Sequence, residues 1–206
     1  MAQTTDRDLL ALEPNVFRDV VFASQTLAAG DDGVIAGTTL TSVAADFAAA
    51  GVGAGSVVVI GGRTTLEVVE RQSAGLLTVS LPRASVLDAA IPPTAGLDLS
   101  FRAATFAPQI ALAEREALRD LGLDEGDAAA IVGGGMTRLT AIGALRHVYA
   151  ASATSADDGD PHWSRAMRWM EERKRELRRV VVGLDRDGDG VAEETRRVQP
   201  ARLARE

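Results

Sequence analysis

The stretch from Pro161 to Arg197 constrains this chain more than any other. It reads PHWSRAMRWMEERKRELRRVVVGLDRDGDGVAEETRR, a charged amphipathic helix that runs straight into an acidic, glycine-punctuated loop. Trp163, Met167, Met170, Leu177 and Val181 recur at helical spacings and so share one face, while the opposite face is almost all Arg, Lys and Glu. Asp160 is an N-cap residue type and Pro161 suits the first helical position, whereas Gly183 is the expected stop.

The loop that follows sets Asp185, Asp187 and Asp189 at alternate positions, with Gly188 and Gly190 between and after them. Counted as a calcium loop from Asp185, positions three and five are Asp187 and Asp189, position six is Gly190, and the carbonyl of Val191 falls at seven. Position twelve is Arg196, where such a loop needs a bidentate Glu; Glu193 or Glu194 could supply an oxygen instead. The loop therefore reads either as a structural Ca²⁺ site built from Asp185, Asp187, Asp189, Val191 and Glu193, or as a metal-free Asp/Gly turn. Both readings make it structural rather than catalytic.

Upstream, the chain begins with an arm over residues 1–33 whose Leu9, Leu10, Leu12, Val16, Phe17, Val20, Val21 and Phe22 are too apolar to stay solvated. It must dock, on its own domain or on a neighbouring subunit. Gly30-Asp31-Asp32-Gly33 reads as a turn closing the arm. Residues 34–106 then have the period of strands: Thr38–Ser42, Val57–Ile60, Thr64–Val69, Leu76–Leu81 and Leu97–Ala103, with a helical turn at Asp46–Ala50 and a hairpin turn at Ser73-Ala74-Gly75. Short strands at even spacing predict a small β-barrel, SH3-like or related. From Pro108 the period is helical. One helix is expected to Leu121, with Ile110, Ala113, Ala117, Leu118 and Leu121 buried. A polar connector follows over Leu123–Gly135. A second helix, capped by Thr137 or Thr140, should run through Ser152 and bury Leu139, Ile142, Leu145, Val148 and Tyr149. The short link to the Trp163 helix makes the two antiparallel neighbours. The class is α+β: a small β-barrel plus a C-terminal antiparallel helical unit over 107–183, then the acidic loop and a basic tail over 184–206.

Several function classes find little support. A net charge of −7 argues against a dedicated nucleic-acid binder. The absence of cysteine removes thiolate metal sites and nucleophiles. Met1–Leu10 is too polar for a signal peptide, and no apolar run suits a bilayer. Gly51, Gly53 and Gly55 precede a strand rather than a helix, and Gly133-Gly134-Gly135 lacks the Lys-Ser/Thr pair of a phosphate loop, so both read as turn chemistry. His147 and His162 have no serine or carboxylate at a spacing that suggests a triad or a metal pair. No catalytic residues and no enzyme activity are expected.

The order of the C-terminal features resembles a family. RLTAIGALRHVYAASA, a short acidic link, HWSRAMRWMEERKRELRRV and then LDRDGDGVAEE is similar to the head–tail adaptor (connector) proteins of tailed bacteriophages, with DRDLLALEPNVFRD and TFAPQIALAEREALRDLG resembling neck-region proteins that carry a β-domain ahead of the helices. The resemblance implies a virion protein of the neck, made in the host cytoplasm, that forms a ring on a dodecameric portal. Its partners would be the portal protein, a tail-side stopper or tail-terminator protein and copies of itself, with contact to genomic DNA in the channel and none to a membrane. A stopper or head-completion protein is the alternative place in the neck, and a Ca²⁺-stabilised binding module the alternative class. The tail residues Arg196, Arg197, Arg202 and Arg205 could be solvated, inserted into an acidic groove of a partner ring, or directed at DNA.

Overall fold

β-Branched and alternating runs between Thr26 and Ala104 pair into a closed antiparallel barrel, so none of its strands is left with an open edge. In the computed structural model, which describes residues 4–157 and 159–197, its strands are β1 (Thr26–Ala36), β2 (Thr39–Thr41), β3 (Val57–Ile60), β4 (Thr64–Ser73), β5 (Leu76–Ser80) and β6 (Gly96–Ala104). Their spatial order is β1-β2-β5-β4-β3-β6, closed by β6 on β1. Ile35, Leu40, Phe47, Val58, Leu66, Val68, Leu77, Val79 and Phe101 fill the interior. At about 1.5–3 kcal/mol for each large apolar side chain taken out of water, they dominate what holds the barrel together. The chain forms the α+β architecture expected of it, as two units, 5–107 and 108 onward with Thr4, each described by itself below.

The barrel begins earlier than the sequence pattern implies. Gly30-Asp31-Asp32-Gly33, expected as a turn, lies inside β1, where the pairing with β6 slips. The glycines serve close strand approach: a Cβ on Gly33 would stand 2.7 Å from the Leu99 carbonyl oxygen. Asp32 is spent on the next loop, accepting from Ser42 Oγ, Val43 N and Ala44 N.

Of the two docking surfaces open to the arm, it takes its own barrel. Helices α1 (Asp6–Leu12) and α2 (Val16–Asp19) bury Leu9, Leu10, Val16 and Phe17, and the Phe17 and Phe106 rings stack with centroids 4.6 Å apart. Two charged contacts fix the arm. Asp6 accepts a 2.7 Å hydrogen bond from Phe106 N, and burial pushes its carboxyl up to about 6. Arg7 and Arg83 both donate through Nε to the buried Glu67 carboxylate, one to each oxygen, and Arg7 Nη2 also reaches the Arg83 carbonyl at 3.0 Å.

In the second unit, α3 (Ala107–Asp120), α4 (Gly135–Ser152) and α5 (Pro161–Leu177) bury the positions expected on α3 and α4. Gly143 lets α3 and α4 meet, since its Cβ would sit 3.0 Å from that of Ala113. Gly134, not Thr137 or Thr140, caps α4. The face that α5 buries is also displaced: Ala166 and Trp169 are buried, Trp163, Met167 and Met170 are half-buried, and Val181 is exposed. Small Ala166 allows the approach to α4 and the largest apolar side chain, Trp169, fills it, which outweighs the regular Trp163 row. α5 stops at Leu177 rather than at Gly183, because Val182–Leu184 is drawn into a strand. That strand, β8, lies between β7 (Ile131–Val132) and β9 (Glu194–Arg196) in a small antiparallel sheet that the sequence pattern does not reveal. The expected Leu123–Gly135 connector therefore holds structure: a 3₁₀ turn, Glu125–Ala130, capped by Asp124, and then β7. No helix among the described residues is long and apolar enough to cross a membrane.

Candidate functional site

The small sheet explains the acidic loop. β8 and β9 form a hairpin, with Asp185–Glu193 as its connection, closed at the base by Glu193 N to Leu184 O (3.0 Å), while Asp185 N donates to Ala130 O (2.7 Å) on the β7 side. Gly188 and Gly190 take φ of 82° and 88°, the left-handed region in which glycine is unstrained, and so let the backbone turn back on itself. Asp185 accepts from Gly188 N at 2.6 Å and Gly190 N at 2.8 Å, Asp187 from Asp189 N at 3.2 Å, and Asp189 from Val191 N at 2.7 Å. The Gly190 and Gly188 amides hold the Asp185 carboxyl below the usual range.

Four of the five ligand candidates converge. Asp185, Asp187, Asp189 and Glu193 each bring a carboxylate oxygen to within 4.8 Å of the others. Val191 lies beside them with its N–H spent on Asp189. Arg196 cannot act as a ligand: it lies in β9, paired with Glu194 at 2.6 Å. Glu193 supplies the fourth carboxylate, and its Oε2 also accepts from Arg186 N at 2.7 Å. The donor set is all hard oxygen, with spare lone pairs on every carboxylate, and so suits Ca²⁺. Arg186, within the loop, pairs with Asp127 at 3.0 Å and with Glu194 at 3.5 Å, neither of them a member of the cluster.

α5 and the turn that follows it present a basic stripe. Arg168, Lys174, Arg175, Arg178 and Arg179 are exposed, interrupted by Glu171. Lys174 and Arg175 pair along the helix with Glu171 and Glu172, whereas Arg168, Arg178 and Arg179 form no ion pair among the described residues. The helix start is well built: Asp160 accepts from His162 N, Trp163 N, Thr154 N and Thr154 Oγ1, which holds its carboxyl far below the usual range, the Thr154 bonds contributing most.

His147 does have a carboxylate neighbour, supplied by α3 and thus invisible in local spacing. Its Nε2 is 3.2 Å from Glu116 and 2.8 Å from Arg146 Nη2. Burial and Arg146 push the imidazole down, against the pull of Glu116. Burial alone would raise Glu116, but Arg146, His147 and Arg173 outweigh it and bring it down. The cluster ties three helices together. His162 stacks on Tyr149 with centroids 6.0 Å apart. The tail residues Arg202 and Arg205 lie outside the described residues.

No protein-family model, curated protein or solved structure matches this chain.

Proposed function

We propose that this chain is a structural protein of the tailed-bacteriophage neck, a head–tail adaptor that forms a ring on the capsid portal and receives the tail-side protein. The observation that carries the reading is the succession of α4, the Asp160-capped basic helix α5 and the acidic β8–β9 hairpin, in the order that resembles those adaptors. The shifted ionisable groups among the described residues support a structural rather than an enzymatic role. Asp6 and Asp160 are each occupied by backbone donors, and Glu116 by cations. The partners are the portal, a tail-side stopper or terminator, further copies of the chain, and DNA passing through. The barrel favours a second position, as a stopper one layer outward, and the four-carboxylate cluster favours a Ca²⁺-stabilised binding module as the rival class.

The test is genetic. Deleting the gene from the phage or prophage that carries it should leave DNA-filled heads and free tails in electron micrographs, with tailed particles restored by complementation. Tailed infectious particles from the deletion would overturn the reading. Charge reversal at Arg168, Arg175 and Arg178 in the complementing copy should leave the fold intact and block joining.

A further inference from the structure

One end of the barrel carries the β1–β2 turn, the β3–β4 turn and the long β5–β6 loop, and it is unusually apolar for an exposed surface. Val86, Leu87 and Leu97 are 61%, 91% and 73% exposed. Beside them is a groove of about 290 Å³ lined by Ile35, Ile60, Leu66, Leu81, Pro93 and Leu99. An apolar cavity of about 150 Å³ holds a benzene-sized molecule, so this one takes two side chains of leucine size.

Two features show that the surface is held in place. The β5–β6 loop is fixed from within: Arg83 Nη1 donates to the Val86 and Asp88 carbonyls at 3.3 and 2.7 Å, Ser85 N to Asp88 Oδ2 at 2.8 Å, and Leu81 N to Ile91 O at 2.9 Å. On the other side, the pairing of β6 with β1 slips between Gly96 and Leu99, and Asp98 sits at φ 50°. A non-glycine residue in that region is uncommon, and here it accompanies a bulge that turns Leu97 and Asp98 to solvent. The exposed charges at this end are Asp88 and Asp98 against Arg63. A closed barrel offers no strand edge, so an occupant must enter by its side chains.

We propose that the occupant is the segment Val198–Glu206 of a neighbouring copy, VQPARLARE. Val198, Pro200 and Leu203 match the groove, Arg202 and Arg205 match Asp88 and Asp98, and the remaining pair, Glu206 and Arg63, is also of opposite sign. Nine residues reach up to about 30 Å when extended, enough to cross to an adjacent subunit. Segment and groove are different surfaces of one chain, so the contact is head-to-tail and propagates around a ring. The proposal rests on the ring reading above for its neighbouring copy. Each contact is small and partly made of exposed ion pairs, which contribute little singly, so copies stay apart in solution and gain from multiplicity only on a template.

Because the chain has no cysteine, an introduced pair is the only source of a disulfide. Full-length Ala95→Cys and Ala204→Cys variants, with tags of different size, are mixed at high concentration under mild oxidation without portal, and Ala48→Cys, exposed on the loop after β2, serves as the control partner. The expected yield of mixed disulfide is about fivefold above the control, falling about tenfold when Arg202→Glu and Arg205→Glu are added to the Ala204→Cys chain, since reversal turns two attractions into repulsions. Leu203→Asp in that chain should lower the yield similarly. Equal yields with Ala95→Cys and Ala48→Cys, or indifference to the charge reversal, would overturn the proposal. So would a chain carrying both Ala95→Cys and Ala204→Cys that cross-links only within itself. None of these outcomes bears on whether the gene deletion yields tailless heads, so the two readings fail separately.

Discussion

Replacing Glu67 by Gln tests how the arm is held. Glu67 is 1% exposed and stands between two guanidinium groups, Arg7 from α1 and Arg83 from the β5–β6 loop, which are themselves buried or nearly so. Gln keeps the shape but has one acceptor oxygen and turns an NH₂ toward a donor, leaving two buried cations without a counter-charge. Breaking a buried ion pair from one side costs about 3–5 kcal/mol, because the surviving charge stays desolvated. Against a usual domain stability of about 5–15 kcal/mol, that is a large fraction. With an m-value of about 2 kcal/mol/M, the urea midpoint should fall by roughly 2 M. Both tryptophans and the single tyrosine lie in the helical unit, so fluorescence would not follow the barrel; hydrogen exchange of β3 and β4 amides in urea would. The apolar triple variant Arg7→Met, Glu67→Leu, Arg83→Met should recover most of the loss, since removing all three charges removes the desolvation cost with them. A loss below about 1 kcal/mol for Glu67→Gln, or a triple variant less stable than the single one, would refute the argument that uncompensated charge governs this site.

Three further outcomes are expected. Asp6, raised from 3.8 to about 6 in the folded chain, binds its proton more tightly folded than unfolded. Its contribution is therefore full below pH 4 and is lost as pH rises through 6, about 3 kcal/mol in all; Asp6→Asn should flatten the stability profile across that window in urea titrations at stepped pH. Calcium should bind the Asp185–Glu193 hairpin in the weak range, about 10⁻⁴–10⁻³ M, and raise the melting temperature, an effect that Asp185→Asn with Asp187→Asn should abolish; absence of calorimetric heat, with a more stable variant, would mean a metal-free turn. Asp160→Ala strips the cap from α5 and frees Thr154 and Ser155, so circular dichroism should show earlier melting of helix, and no change would mean that the cap is dispensable.

What was legible in the sequence follows the reach of each interaction. β3 was recovered with its ends because Val57–Ile60 is bounded by glycines, and α3 and α4 because their buried faces repeat over several turns. The convergence of the four carboxylates is legible since a tight loop brings neighbours in sequence together in space. The three-stranded sheet was not. Its strands are two or three residues long, β7 pairs with β8 across about fifty positions, and nothing local distinguishes Val180–Leu184 from the tail of a helix. The arm's anchorage was hidden for the same reason: Asp6, Arg7, Glu67, Arg83 and Phe106 are ordinary apart and meaningful only when the barrel closes. Glu116 and His147 belong to that class too.

On the proposed ring reading, the docked arm changes where assembly energy must come from. An arm that orders only against partners could supply a large apolar surface to a ring, at the cost of ordering it on binding. Here Leu9, Leu10, Val16 and Phe17 already lie against their own barrel, and departure of α1 would take the Arg7 donor from one oxygen of buried Glu67, leaving Arg83 on the other. Removing residues 1–22 should then unfold the barrel instead of yielding a soluble, joining-deficient protein. Among the described residues, the exposed surfaces that remain include the aliphatic barrel end and the basic stripe, both already ordered. Small, preorganised contacts of this kind hold weakly in pairs and firmly when a template presents many at once. A chain built this way would circulate as a monomer and close into a ring only on a partner that fixes its neighbours in place; light scattering that found closed rings of the isolated chain would contradict this.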